Sequence, residues 1–397
     1  MTRTVTMTLF LSVAITLVSS AHYYIWTRLV RDPQFPVFWT RLATGLVVMV
    51  AVAVIAAPVS ARLFHYPYSR LVSAAAFTWL GALFLLLLML LSADLLRWGQ
   101  QFLARLANGE GAADPERRLF LARVLAAAAA TGAAALTAKA VWAATQPPSV
   151  VRVEVPLSRL PAAMDGFRIV QVSDLHVSTT IRRPYVAAVV AMVNALKPDL
   201  VAITGDLVDG SVPILRDDVA PLADLHAEHG VFFVTGNHEY YSGADEWLAE
   251  TERLGMRNLR NERVNIGPEG AGFDLAGIDD ASAHNFGGGH GADLKPVIAG
   301  RDPARELVML AHQPKAIFEV ASTGAGLMLS GHTHGGQLWP WAYLVALDQP
   351  YVAGLAKHEQ TWIYVSRGTG YWGPPMRLGA PHEITEIILR HVPTPTA

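Results

Sequence analysis

What most limits how this chain can fold is a series of four long apolar stretches in its first third, at residues 8–26, 37–57, 71–93 and 119–144. Each is near the ~20 residues that a helix needs to cross ~30 Å of hydrocarbon. The third contains Leu85, Leu86, Leu87 and Leu88 and no charge. Tyr23, Tyr24 and Trp26 close the first, as aromatics at a membrane boundary do. Alone, that first stretch could pass for a signal peptide, but three further stretches argue for a bundle. The fourth is alanine-rich and encloses Arg123 and Lys139, so a buried helix of a water-soluble domain is the alternative for that segment only. Residues 1–144 are therefore expected to form a membrane domain of about four transmembrane helices. Composition agrees: apolar residues make up 52%, charged ones 16%, and mean hydropathy is +0.30.

Arginine placement gives an orientation. The first and third connections hold Arg28, Arg31, Arg97, Arg105, Arg117 and Arg118. The N-terminus, the second connection and the start of the C-terminal part hold Arg3, Arg62, Arg70 and Arg152. The positive-inside bias puts the first group in the cytoplasm and everything after residue 145 outside. The run Arg117-Arg118-Leu119-Phe120-Leu121 before a weakly apolar segment is also similar to a twin-arginine export signal, set against the plainer reading of a cytoplasmic flank. The expected location is thus a bacterial cell membrane, with the C-terminal domain extracytoplasmic. A net charge of −2 without a dense basic block argues against nucleic acid as a partner. Without cysteines there are no disulfides or thiolate ligands, and both redox compartments stay open.

Residues 145–149 (Thr-Gln-Pro-Pro-Ser) break any helix and form the expected linker. Beyond them the pattern changes. Short β-branched runs at 150–155, 167–172, 200–204 and 231–235 alternate with helical stretches at 185–196, 217–229 and 244–254. Further strands are predicted at 272–277, 306–310, 326–329, 361–365 and 384–389, and 286–291 reads as a flexible loop. Alternation followed by strand-rich sequence predicts an α/β domain of two packed sheets over 150–391, with 392–397 a short tail.

Five motifs appear in order, nearly every one at the C-terminal end of a predicted strand, where loops of α/β sheets converge on sites. They are Asp174-Leu-His176, Gly205-Asp206-Leu-Val-Asp209, Gly236-Asn237-His238-Glu239, His312 and Gly331-His332-Thr-His334. Singly, each could be a turn or a hydrogen-bonded histidine. Together they supply three aspartates, an amide and five imidazoles. Two divalent metals sharing one carboxylate, with imidazole and oxygen donors completing their shells, require such a mixture. Asp-x-His and His-x-His each set two side chains on one face of an extended segment.

This ordered set resembles the calcineurin-like metallophosphoesterases over residues 150–391. The stretches Gly236-Asn-His-Glu-Tyr-Tyr241, Gly277-Ile-Asp-Asp280, Gly331-His-Thr-His-Gly-Gly-Gln337 and Ser366-Arg-Gly-Thr-Gly370 are similar to the membrane-linked branch that includes bacterial phosphodiesterases and enzymes of UDP-diacylglucosamine. Pro381-His382-Glu383 departs from the commoner Pro-Pro-Glu. The resemblance implies a four-layer sandwich of two sheets flanked by helices, two divalent metal ions (Mn, Fe or Zn), and the following roles. Asp174, His176, Asp206 and His334 would bind one metal, and Asp206, Asn237, His312 and His332 the other. His238 would assist the leaving group as a general acid, with Asp209 orienting an imidazole. Arg367 reads as a salt-bridge residue with a phosphate contact as the alternative. His226, His229, His284, His290, His358, His382 and His391 have no ligand spacing.

The expected function is hydrolysis of a phosphodiester or pyrophosphate in a phosphorylated small molecule or a lipid-linked substrate such as a UDP-diacylglucosamine-like compound. The lipid bilayer is the expected partner, with no obligate protein partner. A general envelope phosphodiesterase with a purely anchoring membrane domain is one alternative. A transporter with a phosphoesterase-like regulatory domain is another. Trp339, Trp341, Tyr343, Tyr371 and Trp372 are assigned by default to core packing, with an apolar rim beside the site as the competing expectation; Trp339, Trp341 and Trp372 are its lipid-facing candidates.

Overall fold

The structure, a computed structural model, describes residues 3–63, 68–108 and 114–392. Of the expected tail only Val392 is among them, and the side chains of Arg3, Arg62 and Arg105 also lie outside the described set. The chain forms two compact units, one of residues 1–142 with 373–376, the other of 143–372 with 377–397.

The first unit is built on four helices, α1 (Arg3–Trp26), α2 (Val37–Leu63), α3 (Tyr68–Asn108) and α4 (Pro115–Thr145). Among the described residues, Val37–Ala56, Tyr68–Leu103 and Pro115–Thr145 are long and apolar enough to cross a membrane. Their apolar side chains stay largely exposed, as with Leu42, Met49, Leu71 and Leu95, which suits lipid and not water as the surrounding medium. Within α3, Asp94 is buried. It accepts a hydrogen bond from the Tyr24 hydroxyl at 2.7 Å and pairs with Arg28 at 2.7 Å. A buried carboxylate in an apolar helix needs such partners.

Among the described residues, the second unit contains twelve strands in two mixed sheets. In chain order they are β1 (Ser149–Leu157), β2 (Arg168–Val172), β3 (Leu200–Thr204), β4 (Val231–Val234), β5 (Arg257–Asn258), β6 (Glu262–Ile266), β7 (Phe273–Gly277), β8 (Leu307–Leu310), β9 (Leu327–Ser330), β10 (Gly354–His358), β11 (Thr361–Val365) and β12 (Glu383–His391). The first sheet runs β1-β12-β2-β3-β4-β5 and the second β10-β11-β9-β8-β7-β6. Parallel pairing of β2, β3 and β4 in one, and of β7, β8, β9 and β11 in the other, aligns their C-terminal ends.

Strand alternation explains the layering. In β3, Leu200 and Ala202 face a core shared with Val308 and Leu310 of β8, which lies between the sheets. Val201 and Ile203 instead face α5 (Arg183–Ala195), α6 (Val212–Val219) and, further along the chain, the helix Ala244–Arg253. Leu307 and Met309 face a third core with Ile317 and Val320 on the far side of the second sheet. Both faces of each sheet are thus covered, so central strands read as continuous apolar runs.

The helix expected at 217–229 is displaced. It begins at Val212, with Pro213 in its first turn, and passes at Ala220 into a 3-10 turn ending at Asp224. Pro213 suits a helix start, and Pro221 cannot continue the α-helical bond pattern. The aromatic residues assigned to the core are a second correction: Trp339, Trp341, Tyr343 and Trp372 are exposed.

Candidate metal centre

Five loops leaving β2, β3, β4, β8 and β9 carry the motif residues. Backbone geometry is unusual here. Asp174, His176, Asp206, His332 and His334 all have positive φ, between 50° and 72°, a conformation that L-residues adopt at a cost of order 1–3 kcal/mol and that clusters at functional sites. Small neighbours make the close approach possible. A Cβ on Gly236 would overlap the Asp206 carboxylate, and one on Gly331 would overlap Ser173 and Asp174.

Three groups of converging donors result, each with its ligand atoms within 4.8 Å of one another: Asp174, His176 and His334; His176, Asp206 and His238; and Asp206, His312 and His332. Asp206 belongs to two of them. Its Oδ2 lies 3.1 Å from His312 Nε2, 3.8 Å from His176 Nε2 and 4.0 Å from His238 Nε2. His176 Nε2 and His334 Nε2 stand 3.0 Å apart, and His332 Nδ1 is 3.3 Å from His312 Nε2. Asn237 opens α7 (Asn237–Ser242) next to His238.

Hydrogen bonds around this cluster orient the donors. His312 donates through Nδ1 to the Thr204 carbonyl at 2.8 Å. His176 donates through Nδ1 to Asp209 at 3.0 Å, and His238 through Nδ1 to the same oxygen at 2.6 Å. Asp174 accepts the backbone N–H of His332 at 2.9 Å, and Asp206 that of His238 at 2.9 Å. Buried Glu239 accepts from the backbone N–H groups of Asp206, Leu207 and Gly236 at 2.7–2.9 Å, tying two loops together. Arg377, also buried, donates to the carbonyls of His334, Arg367, Gly370 and Ala380 and approaches His334 Nδ1 at 3.1 Å. The motif reading gave neither Glu239 nor Arg377 a role. Their partners are mostly backbone groups from separate loops, which no spacing rule displays.

Electrostatics follow from burial and charge pairing. Burial opposes ionisation of Asp209, but His176 and His238 outweigh it and hold its carboxyl down at about 2. Burial likewise works against a proton on His176, yet Asp209, Asp206 and Asp174 raise it to about 9. His332 is pushed down to about 4 by burial and by His312, and His334 falls well below its usual value by burial, His176 and Arg377.

These residues fit divalent cations. With Nδ1 of His312 and His176 committed as donors, each ring turns its Nε2 toward another electron-rich atom: the Asp206 carboxylate for His312, and His334 Nε2 for His176. Surrounding carboxylates favour positive charge at both Nε2 positions, which a divalent cation shared with Asp206 and His334 would supply in place of protons. Asn237 Oδ1 is buried and accepts no hydrogen bond from the protein, as a ligand oxygen would. Imidazole, carboxylate and amide donors without thiolate suit a divalent metal that takes nitrogen and oxygen ligands together. Arg367 pairs with buried Glu383 at 2.8 Å, in line with the salt-bridge expectation. Among the described residues, the seven histidines without ligand spacing enter none of the three groups.

Comparisons with known proteins agree in kind. A model of the calcineurin-like phosphoesterase family matches residues 167–336. A Bos taurus protein, named transmembrane protein with metallophosphoesterase domain, is 41% identical over 339 residues, covering 82% of this chain and 75% of that one. An uncharacterized metallophosphoesterase of Helicobacter pylori is 40% identical over 227 residues, 56% of this chain and 59% of that one; the chain thus spans less than two thirds of its length. Among solved structures, NAD nucleotidase from Haemophilus influenzae is similar with a TM-score of 0.36 at 19% identity, covering 52% of this chain and 50% of that one.

Proposed function

This chain belongs to the calcineurin-like metallophosphoesterases, and on that premise we propose that it is a membrane-anchored enzyme hydrolysing a phosphodiester or pyrophosphate bond with two divalent cations. The observation that carries the reading is the pair of donor groups joined through Asp206. Asp174, His176, Asp206 and His334 would hold one cation, and Asp206, Asn237, His312 and His332 the other. When bound, such a pair supplies Lewis acidity toward phosphoryl oxygens and water.

The remaining work falls to the chain's own groups. His238 shares a donor group with His176 and Asp206, but its side chain is 15% exposed where those of His176 and His312 are nearly sealed. That accessibility suits contact with substrate better than ligation. Its Nδ1 is held by Asp209, which leaves Nε2 to pass a proton to the departing oxygen. Asp209, ionised throughout the working pH range, keeps both imidazoles in one tautomer.

A lipid-linked diphosphate or diester, of which a UDP-diacylglucosamine-like molecule is one type, is the proposed substrate class. The support is connectivity: α4 ends at Thr145 and β1 begins at Ser149. Three intervening residues span ~10 Å at ~3.3–3.6 Å each. Confinement next to a bilayer raises the effective concentration of a lipid substrate and adds little for a soluble one.

The test is direct. Full-length protein with Mn²⁺ should hydrolyse bis-p-nitrophenyl phosphate, stop with EDTA and recover when Mn²⁺ is restored. Activity that survives metal removal would sink the two-cation reading. Equal preference for a lipid diphosphate and a soluble diester in mixed micelles would leave the phosphoesterase standing and remove the lipid class.

A further inference from the structure

From Gly335 to Leu347 no residue is charged, and the segment holds two tryptophans, a tyrosine and three leucines. In a water-soluble fold such a stretch belongs in the core. Here the short helix Ala342–Val345 buries none of its four residues, Tyr343 is 70% exposed and Leu347 84%. Trp339, Trp341, Leu344 and, from a separate loop, Trp372 are exposed as well. A patch of this kind marks an interaction surface. Its composition selects among partners: tryptophan, tyrosine and leucine without charge are the residues that settle at the headgroup level of a bilayer.

The patch is built onto the catalytic loops. Leu338 bridges to Leu378 and Gly379, and the Trp339 N–H donates to the Leu378 carbonyl at 2.8 Å. Gln337, three residues after His334, donates to the Trp372 carbonyl at 2.7 Å and accepts the Trp372 N–H at 3.0 Å. The Trp372 ring meets His238 edge-on, with centroids 5.8 Å apart. Whatever seats the patch also positions the Trp372 loop against His238.

We propose that residues 339–347, together with Trp372, form a membrane-interface contact that seats the catalytic unit in the headgroup layer, so that phosphoryl groups of lipid headgroups reach His238 without crossing bulk water. This rests on the reading of the N-terminal helices as membrane spans and on the phosphoesterase reading of the site. The three-residue connection to α4 favours the bilayer as occupant over a soluble protein, since it keeps lipid within reach at all times.

The absence of cysteine makes the test clean, because an introduced thiol is the sole labelling site. Full-length Tyr343→Cys and Leu347→Cys variants carry an environment-sensitive fluorophore in nanodiscs of phosphatidylethanolamine and phosphatidylglycerol, with or without brominated acyl chains. Ile214→Cys, on the exposed side of α6, is the control. Bromine should quench positions 343 and 347 several-fold more than position 214. Equal, weak quenching at all three overturns the proposal. So does protection that appears only with rising protein concentration, which would make a second copy of this chain the occupant. Contact is read without metal or turnover, so failure of the phosphoesterase reading leaves this result interpretable. A Leu344→Ser/Leu347→Ser variant should lose rate several-fold on a lipid diester while keeping its rate on bis-p-nitrophenyl phosphate, which also reports folding. An unchanged ratio of the two rates counts against the proposal.

Discussion

The Asp206 carboxylate and the His238 imidazole stand 4.0 Å apart, Oδ2 to Nε2, yet they should fail differently when replaced. Asp206→Ala removes the carboxylate common to two donor groups, so metal content and activity should both collapse. His238→Ala should slow turnover by ~10²–10⁴-fold with metal content nearly intact, as for a proton donor. Metal analysis beside kinetics decides, and equal metal loss in both would overturn the division of roles. Glu239 extends the logic one layer out. Its carboxylate accepts three backbone N–H groups, whereas glutamine would set an NH₂ against one of them. Glu239→Gln should therefore weaken metal affinity by ~10–100-fold, as residues that orient ligands do. The converging donors could be picked out because Asp174-x-His176 and His332-x-His334 each set two within three residues, and the other motifs follow apolar runs in the same way. Glu239 stood in one of these motifs, but its work is on loops distant in sequence, and only the fold reveals it. His382 carries a pH prediction. Burial, and then Arg377, hold its imidazole at about 4, against ~6.5 when unfolded. The unfolded chain thus binds the extra proton between those values. The stability due to neutral His382 is complete above pH ~6.5 and is lost as pH falls toward 4. Thermal melts of His382→Gln should show a shallower acid limb than the parent across that window; parallel limbs would refute this.

At the scale of elements, the site depends on parallel strands ending together, and those strands were the easiest to read. β3 and β8 are buried on both faces, so every position but the terminal Thr204 is apolar and the run is unmistakable. The sheet edges were harder. β6 (Glu-Arg-Val-Asn-Ile) and β10 (Gly-Leu-Ala-Lys-His) border the second sheet, where half the side chains meet solvent and charges interrupt the pattern. Neither was foreseen. The displaced α6 has another cause: two prolines carried more weight than the apolar spacing did. Loops are held by side chains that periodicity does not report, and Arg377 is the main one. It gathers the carbonyls of the His334 turn and of the 367–370 loop into one guanidinium. Burial lowers its affinity for a proton to about 10, still charged at neutral pH. Arg377→Ala leaves several buried carbonyls unpaired and should cost about 2–4 kcal/mol. Arg377→Lys keeps the charge but not the fork, so it should regain most of the melting temperature and little of the activity. Full recovery of turnover by lysine would mean that charge, not geometry, is what the loops need.

The whole molecule poses the question of sidedness, because a lipid phosphoesterase meets different substrates on the two faces of a membrane. Helices stand where the apolar stretches predicted them, and three qualify as spans among the described residues. Orientation is argued only from arginine, since apolar length says nothing about direction. Arg28, Arg31, Arg97, Arg105, Arg117 and Arg118 flank the first and third connections, against Arg3, Arg62, Arg70 and Arg152 on the other side. On the expectation of four crossings, the positive-inside bias predicts that both the N-terminus and the catalytic unit lie outside the cytoplasm. Alkaline phosphatase fused after residue 397 should then be active, and green fluorescent protein at the same point dark if it crosses unfolded. The opposite pattern would put the metal centre in the cytoplasm, where UDP-linked lipids are available, and would select that substrate type from the class proposed here. The Arg117-Arg118 pair allows a second discrimination, because positive-inside retention counts charge whereas a twin-arginine signal requires arginine itself. Replacing both with lysine should leave the fusion pattern unchanged if the pair only flanks α4. Loss of alkaline phosphatase activity in that variant alone would identify the pair as an export signal, and the crossing of α4 as a separate, later event.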